Sequence, residues 1–215
     1  MAYPTVSAPY GLKPVNLIGG QVNAGSTRQI PIASGYATSI FNGDVVKLSS
    51  DGVLVKETGT TTATPVGIFM GVSYTDPVLK YKIFSQYYPA DTVASDIVAY
   101  VVDDPDALFK VAVVSGTTVV AGVARTVVGN NVALVQNAGD ANTGNSAVAV
   151  LSTSAATTVS LPIRIIDVVP ETVDSSGNYT EVIVKWNAPY FTLAEGAPNT
   201  ITFAGGHQYL NPLGV

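Results

Sequence analysis

Apolar and polar positions alternate along most of this chain in short runs broken by Gly, Pro, Asn or Asp, and no window carries the i, i+3, i+4, i+7 stripe of an amphipathic helix. From residue 28 onward the runs read as strands. Gln29-Ile30-Pro31-Ile32-Ala33 ends on the turn Ser34-Gly35. Val45-Val46-Lys47-Leu48 and Val53-Leu54-Val55-Lys56 flank Ser50-Asp51-Gly52, and an Asp-Gly between two β-branched runs predicts a hairpin. The polar tract 57–65 predicts a loop, and the run Val66-Gly67-Ile68-Phe69-Met70-Gly71-Val72 predicts a buried strand, with Gly67 and Gly71 leaving room for a bend or a close backbone approach. Further strands are expected over 80–84, 96–102, 109–114, 117–120, 132–135, 161–169 and 181–186. Short strands at these intervals, with turn residues between them, predict an all-β sandwich or barrel. The best helical signal is Asp104-Pro105-Asp106-Ala107-Leu108, about one turn with a capping Asp and Pro at the first position. Residues 141–156 read as a long loop carrying at most a short helix.

The two ends break this pattern. Pro4, Pro9 and Pro14 recur along the first segment, with Tyr3, Tyr10, Leu12 and Val15 among them and Gly19-Gly20 after. Proline at this density favours extended backbone and excludes a central strand. Residues 1–30 therefore read as an extended N-terminal arm laid on a neighbour or, equally well on sequence, as a floppy tail. From residue 188 the chain again mixes Pro189, Pro198 and Pro212 with Tyr190, Phe191, Phe203 and Tyr209, which predicts an extended C-terminal tail over 188–215. Between the ends lies a β-rich body, 31–187, divisible into 31–93 and 94–187.

Composition narrows the function. Only 12% of the 215 residues are charged, about half the usual share, and Lys+Arg (10) trail Asp+Glu (15). A net charge of −5 with scattered cations argues against a nucleic-acid surface. Every apolar run is interrupted too soon to span a bilayer as a helix, and the sequence before Lys13 lacks the basic start and apolar core of a secretory signal. Synthesis in the cytoplasm is expected, with no membrane partner. A surface this poor in charge suits a protein much of whose exterior meets other protein, although β-rich domains are high in Val and Thr in any case.

Little in the sequence carries chemistry. With no Cys and one His, thiolate and imidazole metal clusters lack material. Asp103, Asp104 and Asp106 form the one dense acidic group, but the alternating ligands and distal Glu of a calcium loop are missing, and a turn with a capping Asp accounts for them. His207 stands without a nucleophile elbow, and no glycine-rich phosphate loop precedes a helix. No catalytic residue, metal or cofactor is expected, and the chain reads as a non-enzyme. Tyr74, Tyr81, Tyr87 and Tyr88 are candidate interface aromatics, either as rigid protein contacts or as a sugar-stacking platform.

Two stretches taken together are similar to a known family. Gly43-Asp44-Val45-Val46-Lys47-Leu48 through Asp51-Gly52, followed by Thr64-Pro65-Val66-Gly67-Ile68-Phe69-Met70-Gly71-Val72, resembles the β-tulip core of lambda-type phage head decoration proteins. The start, Ala8-Pro9-Tyr10-Gly11-Leu12-Lys13-Pro14-Val15, resembles that of virion structural proteins of marine tailed phages, a likeness that runs to about Asn187. The resemblance implies a β-tulip or β-barrel-like body and a cement protein on the capsid exterior. It implies binding to the major capsid protein through an arm bearing Tyr3, Pro4, Pro9, Tyr10, Leu12, Pro14 and Val15, and self-association as a homotrimer, with a dimer the other assembly open. A tail or fibre component that binds host glycan through the four tyrosines is the alternative.

Overall fold

The computed structural model describes residues 8–193 and 201–212, and for 190–193 and 201–204 the backbone alone. The described chain is all-β. In order its strands are β1 (Lys13–Leu17), β2 (Arg28–Pro31), β3 (Val45–Leu48), β4 (Leu54–Lys56), β5 (Gly67–Thr75), β6 (Lys82–Ser85), β7 (Val98–Val102) and β8 (Ala107–Val114). They continue with β9 (Asn131–Val132), β10 (Leu134–Val135), β11 (Ala149–Leu151), β12 (Ile163–Val168), β13 (Glu181–Trp186), β14 (Tyr190–Leu193) and β15 (Ile201–Ala204).

The second half of the chain curls into a barrel. Its sheet runs β10-β11-β8-β13-β12-β9, and the two terminal strands are consecutive in sequence, separated only by Ala133. Because β9 pairs with β12 and β10 with β11, one extended stretch joins both ends of the sheet and nearly closes the ring. Period-two alternation then sends one set of side chains inward. Phe109, Val111 and Val113 from β8, Val182, Val184 and Trp186 from β13, Ile163 and Ile165 from β12, and Val132, Leu134 and Val150 fill the interior. The Phe109 and Trp186 rings lie 5.4 Å apart. β8 is long enough to hold β13 along one edge and, on the other, antiparallel β1 followed by parallel β11.

The first half forms a second sheet, β2-β7-β5-β3-β4, with β6 also on β5. Val45, Ile68 and Val102 from three adjacent strands face the barrel core, whereas Val46, Phe69 and Val101 face a second core with Ile30, Ile40, Leu54, Val72 and Tyr88. Burial on both faces is why the run 66–72 is continuously apolar instead of alternating. Both glycines in that run have a steric reason. A Cβ at Gly67 would lie 2.1 Å from the Val102 carbonyl oxygen, and Gly71 sits where the β5–β7 register shifts through a bulge.

The hairpin predicted at 45–56 forms between β3 and β4: the Gly52 N–H donates to the Ser49 carbonyl at 2.9 Å, and Gly52 takes φ +73°. The helical turn expected at 104–108 is instead a β-turn leading into β8. The Ala107 N–H donates to the Asp104 carbonyl at 3.2 Å and the Asp106 N–H to an Asp104 carboxylate oxygen at 2.8 Å, because an Asp-Pro-Asp start serves a turn as readily as a helix cap. Of the strand expected over 117–120, only a bridge between Val114 and Val120 forms.

Candidate interaction surface

Residues 9–17, the inner part of the predicted arm, pack on the body. Gly11 holds φ +82° in a slot where a Cβ would come within 2.8 Å of the Gly43 carbonyl oxygen, so only glycine passes there. On either side the Gly11 N–H donates to Val148 and the Leu12 N–H to Gly43, at 3.1 and 3.0 Å. Leu12 is fully buried in the barrel core, and β1 takes the free half-edge of β8, with Pro14 opposite Phe109. The Tyr10 hydroxyl donates to the buried carboxylate of Glu181, which also pairs with the Lys110 ammonium at 3.3 Å, and that ammonium sits over the Tyr10 ring. Burial first, and then the Glu181 carboxylate, hold the Tyr10 hydroxyl well above the usual phenol range. The Lys13 ammonium donates to the side chains of Asn42 and Asn145, and burial lowers its pKa.

These contacts sort the predicted arm residues. Pro9 and Leu12 are buried, Tyr10 and Pro14 are half-buried, and Val15 keeps 40% of its surface exposed. Leu12 thus has no surface to offer a partner: a large aliphatic side chain beside an apolar core gains more from burial than from exposure. Tyr3 and Pro4 lie outside the described residues.

The four interface tyrosines do not form one platform. Tyr88 is fully buried and Tyr74 nearly so, both inside the second core, where the Tyr88 hydroxyl donates to the Tyr36 carbonyl at 3.1 Å. Tyr87 is half-buried and stacks on Phe41 with ring centroids 5.5 Å apart. Tyr81 is the exposed member, at 53%. With Tyr88 closed inside the second core, it cannot join Tyr87 in flanking one sugar.

The acidic group is divided among separate partners. Asp103 accepts from Arg28 at 2.8 Å and from the Tyr209 hydroxyl at 3.0 Å, Asp106 pairs with Lys185 at 2.8 Å, and Asp104 caps its own turn. Among the described residues, no three His, Asp or Glu side chains converge as metal ligands.

His207 anchors the C-terminal segment. It is fully buried; its N–H donates to the Asn187 carbonyl at 3.0 Å, and its ring Nδ1 accepts from the Tyr209 N–H at 3.2 Å. Next to it, the Gln208 side chain mimics a strand. Its oxygen accepts from the Leu48 N–H at 2.7 Å and its amide donates to the Leu48 carbonyl at 3.1 Å. Residues 205–208 therefore pack on the sheet formed by the first half of the chain. Sequence reasoning missed this, since nothing local marks Gln208 as a partner for a residue 160 positions away.

Among the described residues, four exposed apolar side chains gather on the β5–β6 hairpin. Ile83 points to the second core, while Phe84 is 72% exposed, and Val78, Leu79 and Tyr81 are exposed in the preceding turn. Asp96 braces the hairpin, accepting from the Thr75 N–H and hydroxyl at 2.8 and 2.7 Å and from Lys82 at 3.1 Å. Those donors, the Thr75 backbone first, pull its carboxyl down to about 2. No protein family, curated protein or solved structure matches this chain.

Proposed function

We propose that the protein is a decoration protein of a tailed-phage head, a non-catalytic part that binds the major capsid protein on the capsid exterior, associates with itself and reinforces the shell. The observation that supports it best is the anchoring of residues 9–17. Gly11, Leu12 and the Tyr10–Glu181–Lys110 group hold the chain at a fixed point of the body a few residues after Tyr3, Pro4 and Val6 in the sequence. A short apolar segment tethered at a fixed origin binds a neighbouring surface at a higher effective concentration than a free peptide would. The sparse charge fits interfaces that repeat many times over a lattice, each contributing modestly.

The test is removal of residues 2–7, which leaves every described contact in place. Co-sedimentation with capsids is expected to weaken by at least ~10-fold while the thermal midpoint stays within about 2 °C. Undiminished co-sedimentation would overturn the proposal.

A further inference from the structure

We propose that the free edge of β6 pairs with β6 of a second copy of this chain, antiparallel across a two-fold axis, with the two Phe84 rings packed side by side. This pairing belongs to the free chain and does not rest on the capsid assignment.

Three features carry the inference. Among the described residues, backbone hydrogen bonds join β6 to β5 alone, so its outer row of N–H and C=O groups is unpaired. Such edges are ordinarily blunted by Pro, charge or a bulge. The opposite edge of the same sheet, β2, is blunted in this way, since Pro31 lacks an N–H. β6 has no Pro; its one charge, Lys82, sits at its start and is paired with Asp96, and its centre is Ile83 and Phe84. Of twelve exposed large apolar side chains among the described residues, Val78, Leu79, Tyr81 and Phe84 fall within this one hairpin.

The third feature is the register. Two copies of one sheet edge related by a two-fold axis normal to the sheet keep their faces aligned, so outward side chains must meet outward ones. With the axis at Phe84, Phe84 lies opposite its own counterpart and Ile83 lies opposite Ser85, while Lys82 faces the bend that begins at Gln86, just past the end of β6. No like charges meet, and Lys82 already has Asp96 at 3.1 Å on its own copy. An aromatic pair at the centre with neutral polar partners at its ends is the arrangement a self-pairing edge requires.

The chain contains no Cys, so Phe84→Cys introduces a single thiol. Directly opposed strand residues approach closely enough for a disulfide after a small adjustment. Mild oxidation of the full-length variant is expected to give a covalent dimer at least ~10-fold faster than Val119→Cys, an exposed control site elsewhere. In parallel, light scattering on the unaltered chain is expected to give a dimer, and Phe84→Lys a monomer with unchanged far-ultraviolet circular dichroism and thermal midpoint. A monomer or trimer for the unaltered chain at ~100 μM, assembly that survives Phe84→Lys, or equal cross-linking at the two sites would each overturn the proposal.

Discussion

Lowering the pH from 7 towards 4 drives a proton onto His207, a side chain that the fold holds neutral. Its ring is fully buried between the β13 end and the sheet of the first half of the chain. Burial pushes its pKa from 6.5 down to about 4, against the opposing pull of the Val66 carbonyl and of the Asp103 and Asp104 carboxylates, while Lys185 adds to the depression. Between these two values the unfolded chain binds a proton that the folded chain does not. Stability is therefore complete above pH 6.5 and is lost as the pH falls towards 4. At about 1.36 kcal/mol per pH unit the full loss is roughly 3 kcal/mol, with roughly 2 kcal/mol of it gone at pH 5. Urea unfolding followed by the fluorescence of Trp186, the single tryptophan, measures this directly. His207→Asn keeps an acceptor for the Tyr209 N–H and removes the titration. The variant is expected to be less stable at pH 7 because it leaves a void, yet to lose roughly 2 kcal/mol less than the unaltered chain between pH 7 and pH 5. Equal losses in the two proteins would refute the reasoning.

Leu12→Ala is expected to cost about 2–5 kcal/mol in the same assay, the value for a core leucine, and Val15→Ala about 1 kcal/mol or less, since Val15 keeps 40% of its surface in solvent. Asp44 is fully buried and accepts from Lys56 at 2.7 Å, the Ser146 hydroxyl at 2.6 Å and the Phe41 N–H at 2.9 Å. Asp44→Ala strands the Lys56 ammonium beneath the sheet and is expected to cost about 3–5 kcal/mol by urea titration. A loss below about 1 kcal/mol would show that water reaches Lys56 easily.

The hairpin at 45–56 and the strand β13 were legible because their signals are local: an Asp-Gly turn in one, the β-branched run Val182-Ile183-Val184 in the other. β1 was not legible. Pro14 and the flanking glycines read as a segment outside any sheet, and its place as a strand comes from β8, whose length leaves a half-edge that β11 does not fill. An edge strand tolerates a proline where a central one does not. The same limit hid the sites. The Tyr10–Glu181 contact joins residues 171 positions apart, and Tyr74 and Tyr88 look like surface aromatics until the second core closes over them. The exposed Phe84 could have been suspected from its partner Ile83, since alternation places one of the pair outward, but which one depends on the register with β5.

That β1 belongs to the barrel changes how any experiment on the N-terminus must be read. A deletion reaching residue 20 removes Leu12 from the barrel core, frees the β8 half-edge and leaves Glu181 with Lys110 but without the Tyr10 hydroxyl. Each of these changes costs stability by itself. Capsid binding lost in such a variant would follow from a damaged body as readily as from a missing contact. Stopping the deletion at residue 7 separates the two causes. Tyr10→Phe sharpens the distinction further: it keeps the ring under Lys110 and removes only the hydroxyl that donates to Glu181, at a cost of about 1–3 kcal/mol. If the anchoring of this point is what makes the segment before it effective, Tyr10→Phe is expected to weaken capsid binding with residues 2–7 present and to change nothing further once they are gone. Additive losses in the two variants would mean that Tyr10 acts on the body alone.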